Sequence, residues 1–559
     1  MIIPKKLLSL LSCMILPSVH AADFNPIWEP LTNQLQSFQM IAPVNVLNMN
    51  QGRQFASDSP YQLDFLNQNT NNNIHHQRFQ IMYQGLPVFG YHMILHHYPD
   101  KPTLLTGHLI QNIEADLPSL KTSFSEKQIL NLILEKQQLH PTDIRLPNIE
   151  KIIYINEQSH KASLAFKVSF VKNTPLSQPN FIINAQTGEI LKQWNNLHTL
   201  KRGLGSGGNT RSPLGGLTYV SSPAANGQLP PFDVTVNGAT CQMANSILQV
   251  RDYNQIDTNA TNFPITIANE GHGGNPAIYN FACYNNGTND QINGYADGNV
   301  AQSPSNDAMF HAYTTYEMLK NFYGVNQPLG TDLPLRIYTR VLQLDNAISW
   351  PTIKNSGLIT SHQQLTIGGG NTVFYSMTLG TMAHELCHNV TGNHSDMIYA
   401  EQSGGMNEAF SDMCEMAVKS YIRSQLGYTW YWDGTTYHIG QNETQTQTPF
   451  RYLNNPALDG NSINNASSYT STMNVHYSSG VFNRAFYLIA SNNNIGPTNA
   501  FRYMVEANVN YWVPANTFAY GACGVIQAAV DNNVSNSNRS NIINAFSTVG
   551  VNCKLIKPE

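Results

Sequence analysis

Charge is what this chain has little of. Asp, Glu, Lys and Arg make up 12% of its 559 residues, the formal net charge is −5, and no basic run exceeds two residues. A surface that draws in nucleic acid or an anionic membrane face needs clustered cations, so both are argued against as partners. Long apolar runs are as scarce. The one such run, Leu7 to Val19, follows Lys5 and Lys6 and is too short to span a bilayer comfortably. With Val19-His20-Ala21 behind it as a cleavage-like tripeptide, residues 1–21 read as a secretory signal. No internal repeat is evident. Cysteine is sparse too, and removing the signal leaves six: Cys241, Cys283, Cys387, Cys414, Cys523 and Cys553. Their use fits export, and spacing alone does not choose among the possible pairings. Cys387 and Cys414 read as buried free thiols, with a bridge between them as the alternative.

The chemistry is concentrated in one short stretch, His384-Glu385-Leu386-Cys387-His388. Two histidines four residues apart share a helix face and can bind one zinc ion. Glu385 then stands beside the metal without binding it, free to take a proton from water there. A catalytic zinc keeps three protein ligands and an open fourth position. Nineteen residues after His388 begins Asn407-Glu408-Ala409-Phe410-Ser411-Asp412, and Glu408 is the natural third ligand. The plain alternative is a helix with two surface histidines near a glutamate, and it loses weight because the acidic motif stands at the right distance.

Around this stretch the chain divides. Residues 22 to about 200 read as a separate small α+β unit. Arg78–Tyr83 alternates apolar and polar, Gln84-Gly85-Leu86-Pro87 is turn-like, and Val88 to His97 returns as a second strand. Helical spacing runs from Phe124 to Gln138, and strands are expected over 163–171, 181–183 and 189–191. Residues 203–216 are rich in Gly, Ser, Asn and Arg, the composition of a linker or cleavable junction. From about 217 to 375 strand and loop dominate, interrupted by one helix that starts at Ser303 and stops at Gly324. A metal-bearing helix is expected over about 376–390. Further helices are expected over 405–424, 478–491, 497–509, 522–532 and 538–546.

In this order the residues resemble the thermolysin-like zinc metallopeptidases, in particular their pseudolysin and vibriolysin branch. The first unit carries Tyr83-Gln84-Gly85-Leu86-Pro87-Val88-Phe89-Gly90 and Ile183-Asn184-Ala185-Gln186-Thr187-Gly188-Glu189, similar to propeptide motifs of that family. Further along stand Ser303–Ala308, the metal helix, Gly404-Gly405-Met406-Asn407-Glu408, Val475–Gly480 and the C-terminal stretch Gly521 to Gly550. The implied fold is α+β. An α+β propeptide of two modules (about 22–105 and 115–199) precedes a β-rich N-terminal catalytic lobe (200–390) and a helical C-terminal lobe (391–559). The implied reaction is endopeptidase hydrolysis before bulky apolar residues, by a secreted precursor that cuts itself near His198 or Thr199. The partners are protein and peptide substrates, with the propeptide as intramolecular inhibitor and chaperone, and the mature enzyme is expected to be a monomer.

The resemblance also implies roles. His384, His388 and Glu408 bind zinc, Glu385 is the general base, and Asp412 orients a ligand imidazole. Tyr399 and His476 donate to the developing oxyanion. Asn346 and Ala347 hold substrate backbone as an edge strand, although Trp350 comes one residue late. Arg451 meets a substrate carbonyl. The pairs Cys241–Cys283 and Cys523–Cys553 match the two disulfides of the branch.

Three departures stand out. Gly380, Met416 and Lys419 replace expected acidic residues, so calcium is expected to bind weakly or not at all. Asn474 replaces the carboxylate that orients the oxyanion histidine, so His476 is expected to be less often protonated at neutral pH and activity to lean toward lower pH. Residues 350–370 lack the usual Gly-Asp-Gly signature at the edge of the cleft and carry Ile367-Gly368-Gly369-Gly370 instead. Two other readings remain open: a secreted binding protein on a decayed peptidase scaffold, against which an intact Glu385 argues, and a zinc aminopeptidase, for which no amine-recognition motif is seen.

Overall fold

The computed structural model describes residues 22–30, 60–172, 178–199, 304–341, 346–368, 378–426 and 437–555 apart from short interruptions, with isolated strands between 218 and 282. Nine strands of the first unit form one sheet. They are β1 (Asp23–Pro30), β2 (Tyr61–Asn71), β3 (Ile74–Tyr83), β4 (Leu86–His97), β5 (Leu104–Gln111), β6 (Ile144–Ile155), β7 (Ala162–Lys172), β8 (Pro179–Asn184) and β9 (Ile190–Asn195). β4 is the hub, pairing antiparallel with β3 and β5 and, through Val88↔Ile153, parallel with β6.

The hairpin between β3 and β4 turns on Gln84 and Gly85, with φ of 46° and 82°. Two consecutive positive φ angles suit the twist of a two-residue hairpin, and glycine makes the second cheap. Strand alternation then sorts the side chains. Phe79, Ile81, Met93, Leu95 and Leu105 face a core shared with Ile129 and Ile133 of helix α1 (Glu126–Lys136). That helix begins at a Ser125–Gln128 capping box, which places its start two residues after the expected Phe124.

A second sheet runs in the order β10 (His198–Thr199), β13 (Ala347–Trp350), β14 (Gln364–Gly368), β12 (Leu335–Val341), β11 (Leu248–Asp252). Helices α2 (Pro304–Glu317), α3 (Leu379–Asn393), α4 (Glu401–Leu426), α5 (Gly480–Ala490), α6 (Gly496–Asn510), α7 (Phe518–Asp531) and α8 (Asn536–Thr548) complete the larger unit. Its core is continuous from Leu248 and Ile337 in the sheet, through Leu386 and Phe410, to Phe501, Trp512 and Phe546. The β-rich then helical order is the expected one, and helix ends differ from the sequence reading by a few residues.

The expectation for two cysteines needs correction. Cys387 on α3 and Cys414 on α4 are joined by a disulfide, with Cα atoms 6.5 Å apart and both side chains fully buried. The two packed helices bring them within disulfide reach, which their separation in sequence does not reveal. Cys523 and Cys553 are paired as the resemblance implied. The pairing Cys241–Cys283 lies outside the described residues.

Candidate metal centre

Helix α3 carries the centre. Its N-cap Thr378 accepts from Thr381 N, which satisfies one free amide at the helix start. Every residue from Leu379 to Thr391 is buried, so the helix runs through the interior and not along a surface. His384 and His388 point from it toward Glu408 on α4. His384 Nε2 lies 3.1 Å from His388 Nε2 and 3.6 Å from Glu408 Oε2, and His388 Nε2 lies 3.4 Å from Glu408 Oε1. These three residues are the one group among the described residues able to hold a metal ion with ligand atoms within 4.8 Å of one another.

The far side of each imidazole is anchored. His384 Nδ1 sits 3.1 Å from Asp412 Oδ1, and His388 Nδ1 sits 2.8 Å from Asn407 Oδ1. The acceptor at His388 Nδ1 directs the ring proton there, and the Asp412 carboxylate behind His384 favours the same arrangement, which turns each Nε2 lone pair inward. Two such lone pairs and a carboxylate converge on one buried point, and Glu408 Oε2 has no hydrogen-bond partner. Such an acceptor set fits a cation, and two imidazoles with one carboxylate fit zinc. Without one, the pocket draws a proton. Burial works against a charged His384, but the hydrogen bonds and charges of Asp412 and Glu408 outweigh it and push it up to about 10. Burial would likewise raise Glu408, but His476, His388 and His384 together hold it well below the usual carboxylate range.

Asp412 is itself tied down. Arg451 Nε and Nη2 donate to it at 2.7 and 2.5 Å, and Asn483 Nδ2 donates at 2.8 Å. Arg451 is therefore buried in a fork-like pair with Asp412, with Nη2 also 3.8 Å from Glu408 Oε2. Glu385 is fully buried, and desolvation pushes its carboxyl up to about 8, partly offset by His384 and by the Ser349 backbone amide. A carboxylate held near neutrality is suited to taking and returning a proton.

The opposite wall comes from the one-turn helix Val475–Ser478. It seats on α4 at Gly404 and Gly405, where a Cβ would come within 2.4 Å of Val475 and of Ser478 respectively. That close approach swings His476 over Glu408, with Nε2 3.5 Å from Glu408 Oε1 and 3.5 Å from the Tyr399 hydroxyl. Tyr399 donates to Glu408 Oε1. Asn474 accepts from the His476 backbone and stands 2.8 Å from His476 Nδ1, so it occupies the orienting place expected for it. Ala347 lies in β13, Asn346 just before it, and Trp350 Nε1 donates to Thr366 Oγ1 on β14 at 2.9 Å.

The structure thus brings together all the predicted site residues except Asn346 and Ala347, which stand on the neighbouring edge strand. The sequence reading did not single out Asn407, Asn483 or the Ser349 amide. Asn407 was legible as the residue beside Glu408, whereas Asn483 and Ser349 enter only through packing.

Comparisons with known proteins agree. Residues 222–392 match the thermolysin metallopeptidase catalytic domain, and residues 395–551 match the thermolysin metallopeptidase alpha-helical domain. A hemagglutinin/proteinase of Vibrio cholerae is 32% identical over 483 residues, 85% of this chain and 71% of that protein. A zinc metalloproteinase of Legionella pneumophila is 31% identical over 539 residues, 92% of each. The solved precursor of protealysin from Serratia proteamaculans aligns at a TM-score of 0.40 and 20% identity, over 57% of this chain and 90% of that one, too loose to add to the assignment. With its metal-ligand set, its lobes and its relatives in agreement, the chain belongs to the thermolysin metallopeptidase family.

Proposed function

We propose that this metalloendopeptidase is secreted, cuts before bulky apolar residues and processes its own precursor, with the following division of labour. Zinc held by His384, His388 and Glu408 supplies, when bound, a Lewis acid that polarises a carbonyl and makes water nucleophilic near neutral pH. Glu385 takes the proton from the attacking water and passes it to the leaving amine. Tyr399 and His476 face the same space from the opposite wall and donate to the oxyanion. Asp412 fixes the His384 ring. Arg451, locked by Asp412 and with Nη2 3.8 Å from Glu408 Oε2, meets a substrate carbonyl.

The observation that carries the self-processing reading is strand addition. β10 lies antiparallel on β13, with His198 opposite Ser349 and Thr199 opposite Ile348. β13 is the strand that includes Ala347, and the backbone of its Ser349 is among the groups that offset the burial of Glu385. Backbone pairing on an exposed edge is how an extended peptide is held for cleavage. This pairing supports the reading that residues 198–199 lie as a substrate backbone would, with a cut there and a propeptide of residues 22–199. Export rests on the signal-like N-terminus, and among the described residues no helix is long and apolar enough to cross a membrane.

Calcium is proposed to bind weakly or not at all at the place where acidic residues are replaced. Lys419 Nζ sits 2.5 Å from the Glu415 carboxylate and Met416 is buried, which supports this. A calorimetric titration showing tight stoichiometric calcium binding would contradict it. The peptidase reading is tested on a blocked peptide with one bulky apolar residue. Cleavage on the N-terminal side of that residue, abolished by a chelator and restored by zinc, is expected. Cleavage that survives complete zinc removal would overturn it.

A further inference from the structure

The first sheet has a second face that its own core does not use. Strand alternation puts His76 and Arg78 of β3, His92, Ile94 and His96 of β4, and Thr106 and His108 of β5 on the side away from the apolar core, with His76 opposite His96 and Ile94 opposite Thr106. A sheet with one face on its core normally turns such a polar face to water. Here the face is buried: His96 and Thr106 are fully inaccessible, and none of the other five side chains is more than 7% exposed.

The cover is the segment between α6 and α7 of the catalytic unit, with the residues that flank it. Arg78 Nη1 donates to Trp512 O at 2.7 Å and Nη2 to Val509 O at 3.3 Å. His96 stacks on Tyr511 at 4.5 Å, and His108 stacks on Tyr520 at 5.7 Å. His76 meets Tyr511 edge-on at 5.9 Å, and Trp28 of β1 stacks on the same ring at 5.6 Å. The Gly107 amide donates to the Tyr520 hydroxyl at 2.7 Å, and Ala515 N donates to Gly90 O at 3.1 Å. Ile94 packs with Val513 and Tyr520.

This contact has a demanding charge requirement. His76 Nδ1 and His96 Nδ1 are 2.6 Å apart, so one of the two nitrogens must be bare. His96 Nε2 continues the chain to Thr106 Oγ1 at 2.6 Å. His92 Nδ1 and His108 Nδ1 are buried with no hydrogen-bond partner, so a proton added there would meet no acceptor. The charged neighbours are of the wrong sign. His76 faces Arg78, His75 and His97, and His92 and His96 both face Arg78. From the catalytic unit come Tyr511 and Tyr520, Asp396 toward Arg78, Asp531 toward Tyr98 and Tyr511, and His394, which itself faces Arg78. Neither aspartate acts on any of the four histidines as a partner. Burial lowers His76 to about 3 and His108 to about 4, and takes His92 and His96 well below the ordinary value.

We infer that the β3–β5 face is a docking surface for residues 509–520 of the same chain that holds only while its histidines are uncharged, so that mild acid parts the first unit from the catalytic lobe. The proposal rests on reading residues 22–199 as a removable propeptide. The sign follows from linkage. An undocked histidine titrates near 6.5, whereas docked His108 stays neutral to about 4. Above neutral pH both states are uncharged and docking does not depend on pH. Below about 6.5 the undocked state binds more protons and docking weakens, by about 30-fold at pH 5 for His108 alone, with the other three histidines adding in the same direction.

The test uses the full-length Glu385→Gln precursor, so that docking is followed without self-cleavage. Amide hydrogen exchange, corrected for the intrinsic effect of pH, is compared at pH 7.5, 6 and 5 for residues 505–521 and 88–110, with 162–184 of the same unit as internal reference. Protection of the first two regions should fall by at least 30-fold by pH 5 while the reference holds. Replacing His96 and His108 together by Gln should remove their share of that acid loss, at least the ~30-fold of His108, and leave the share of His76 and His92. Wild-type protection unchanged down to pH 5 overturns the proposal whether or not the variant docks, and so does a docked variant with an unaltered acid profile. The reading as a removable propeptide is judged separately, by whether the wild-type chain is cut near residue 199.

Discussion

Two groups of buried histidines in this chain have opposite charge preferences. In the metal centre, His384 is pushed up to about 10 by Asp412 and Glu408. On the sheet face of the first unit, His76 is taken down to about 3 and His108 to about 4, with Arg78 and other histidines among their neighbours. Burial alone disfavours the charged imidazole in both places, so the difference comes entirely from the company each ring keeps. A pocket of carboxylates that would hold a proton on histidine is also one that holds a dication. A face that rejects protons can serve as an adhesive surface whose strength is set by pH.

The largest effect that sharpens this contrast is expected at Glu385. Glu385→Gln should lower kcat/KM on a peptide by about 10²–10⁴-fold, the usual worth of a general base. Zinc content by elemental analysis should stay at one per chain, and loss of zinc would instead make Glu385 a structural support of the site. Next comes the field around His384. Asp412→Asn removes the carboxylate behind the ring and should weaken zinc by about 10–100-fold in a chelator competition. Unchanged affinity would break the link between the proton-holding field and the metal.

On the other side of the comparison, His108→Gln alone should recover about 30-fold of the docking lost at pH 5. Its check is the same exchange profile, and an unchanged profile would place the acid sensitivity elsewhere. Removing the α3–α4 disulfide as Cys387→Ala with Cys414→Ala should cost about 2–4 kcal/mol, read as a lower Tm. Thiol counting on the denatured wild type should find neither of these cysteines free. The smallest effect is expected at Asn474→Asp, which should extend the alkaline limb of the pH–rate profile. A superimposable profile would mean that Asn474 and a carboxylate orient His476 equally well.

The metal centre was legible in the sequence because its information is local. A spacing of four on a helix fixes which side chains share a face, and Glu408 follows at a set distance on the next helix. Tyr399, Arg451 and His476 were reached only through resemblance, since nothing local distinguishes them from ordinary surface residues. The Cys387–Cys414 bridge stood only as the alternative to free thiols because it depends on how α3 and α4 pack. The histidine face was half legible. Its alternation announced a strand, but the residues that cover it lie far downstream, 434 positions on from Arg78 in the case of Trp512. A polar strand face looks solvent-facing until its partner is known.

The central claim is that one zinc–Glu385 site cuts the chain that carries it, at the segment laid on β13. The most direct measurement is the mass of the secreted protein, wild type beside Glu385→Gln. A wild type shortened to a start near residue 199, with the variant remaining full length, is the predicted result. Identical processing of both would contradict self-cleavage.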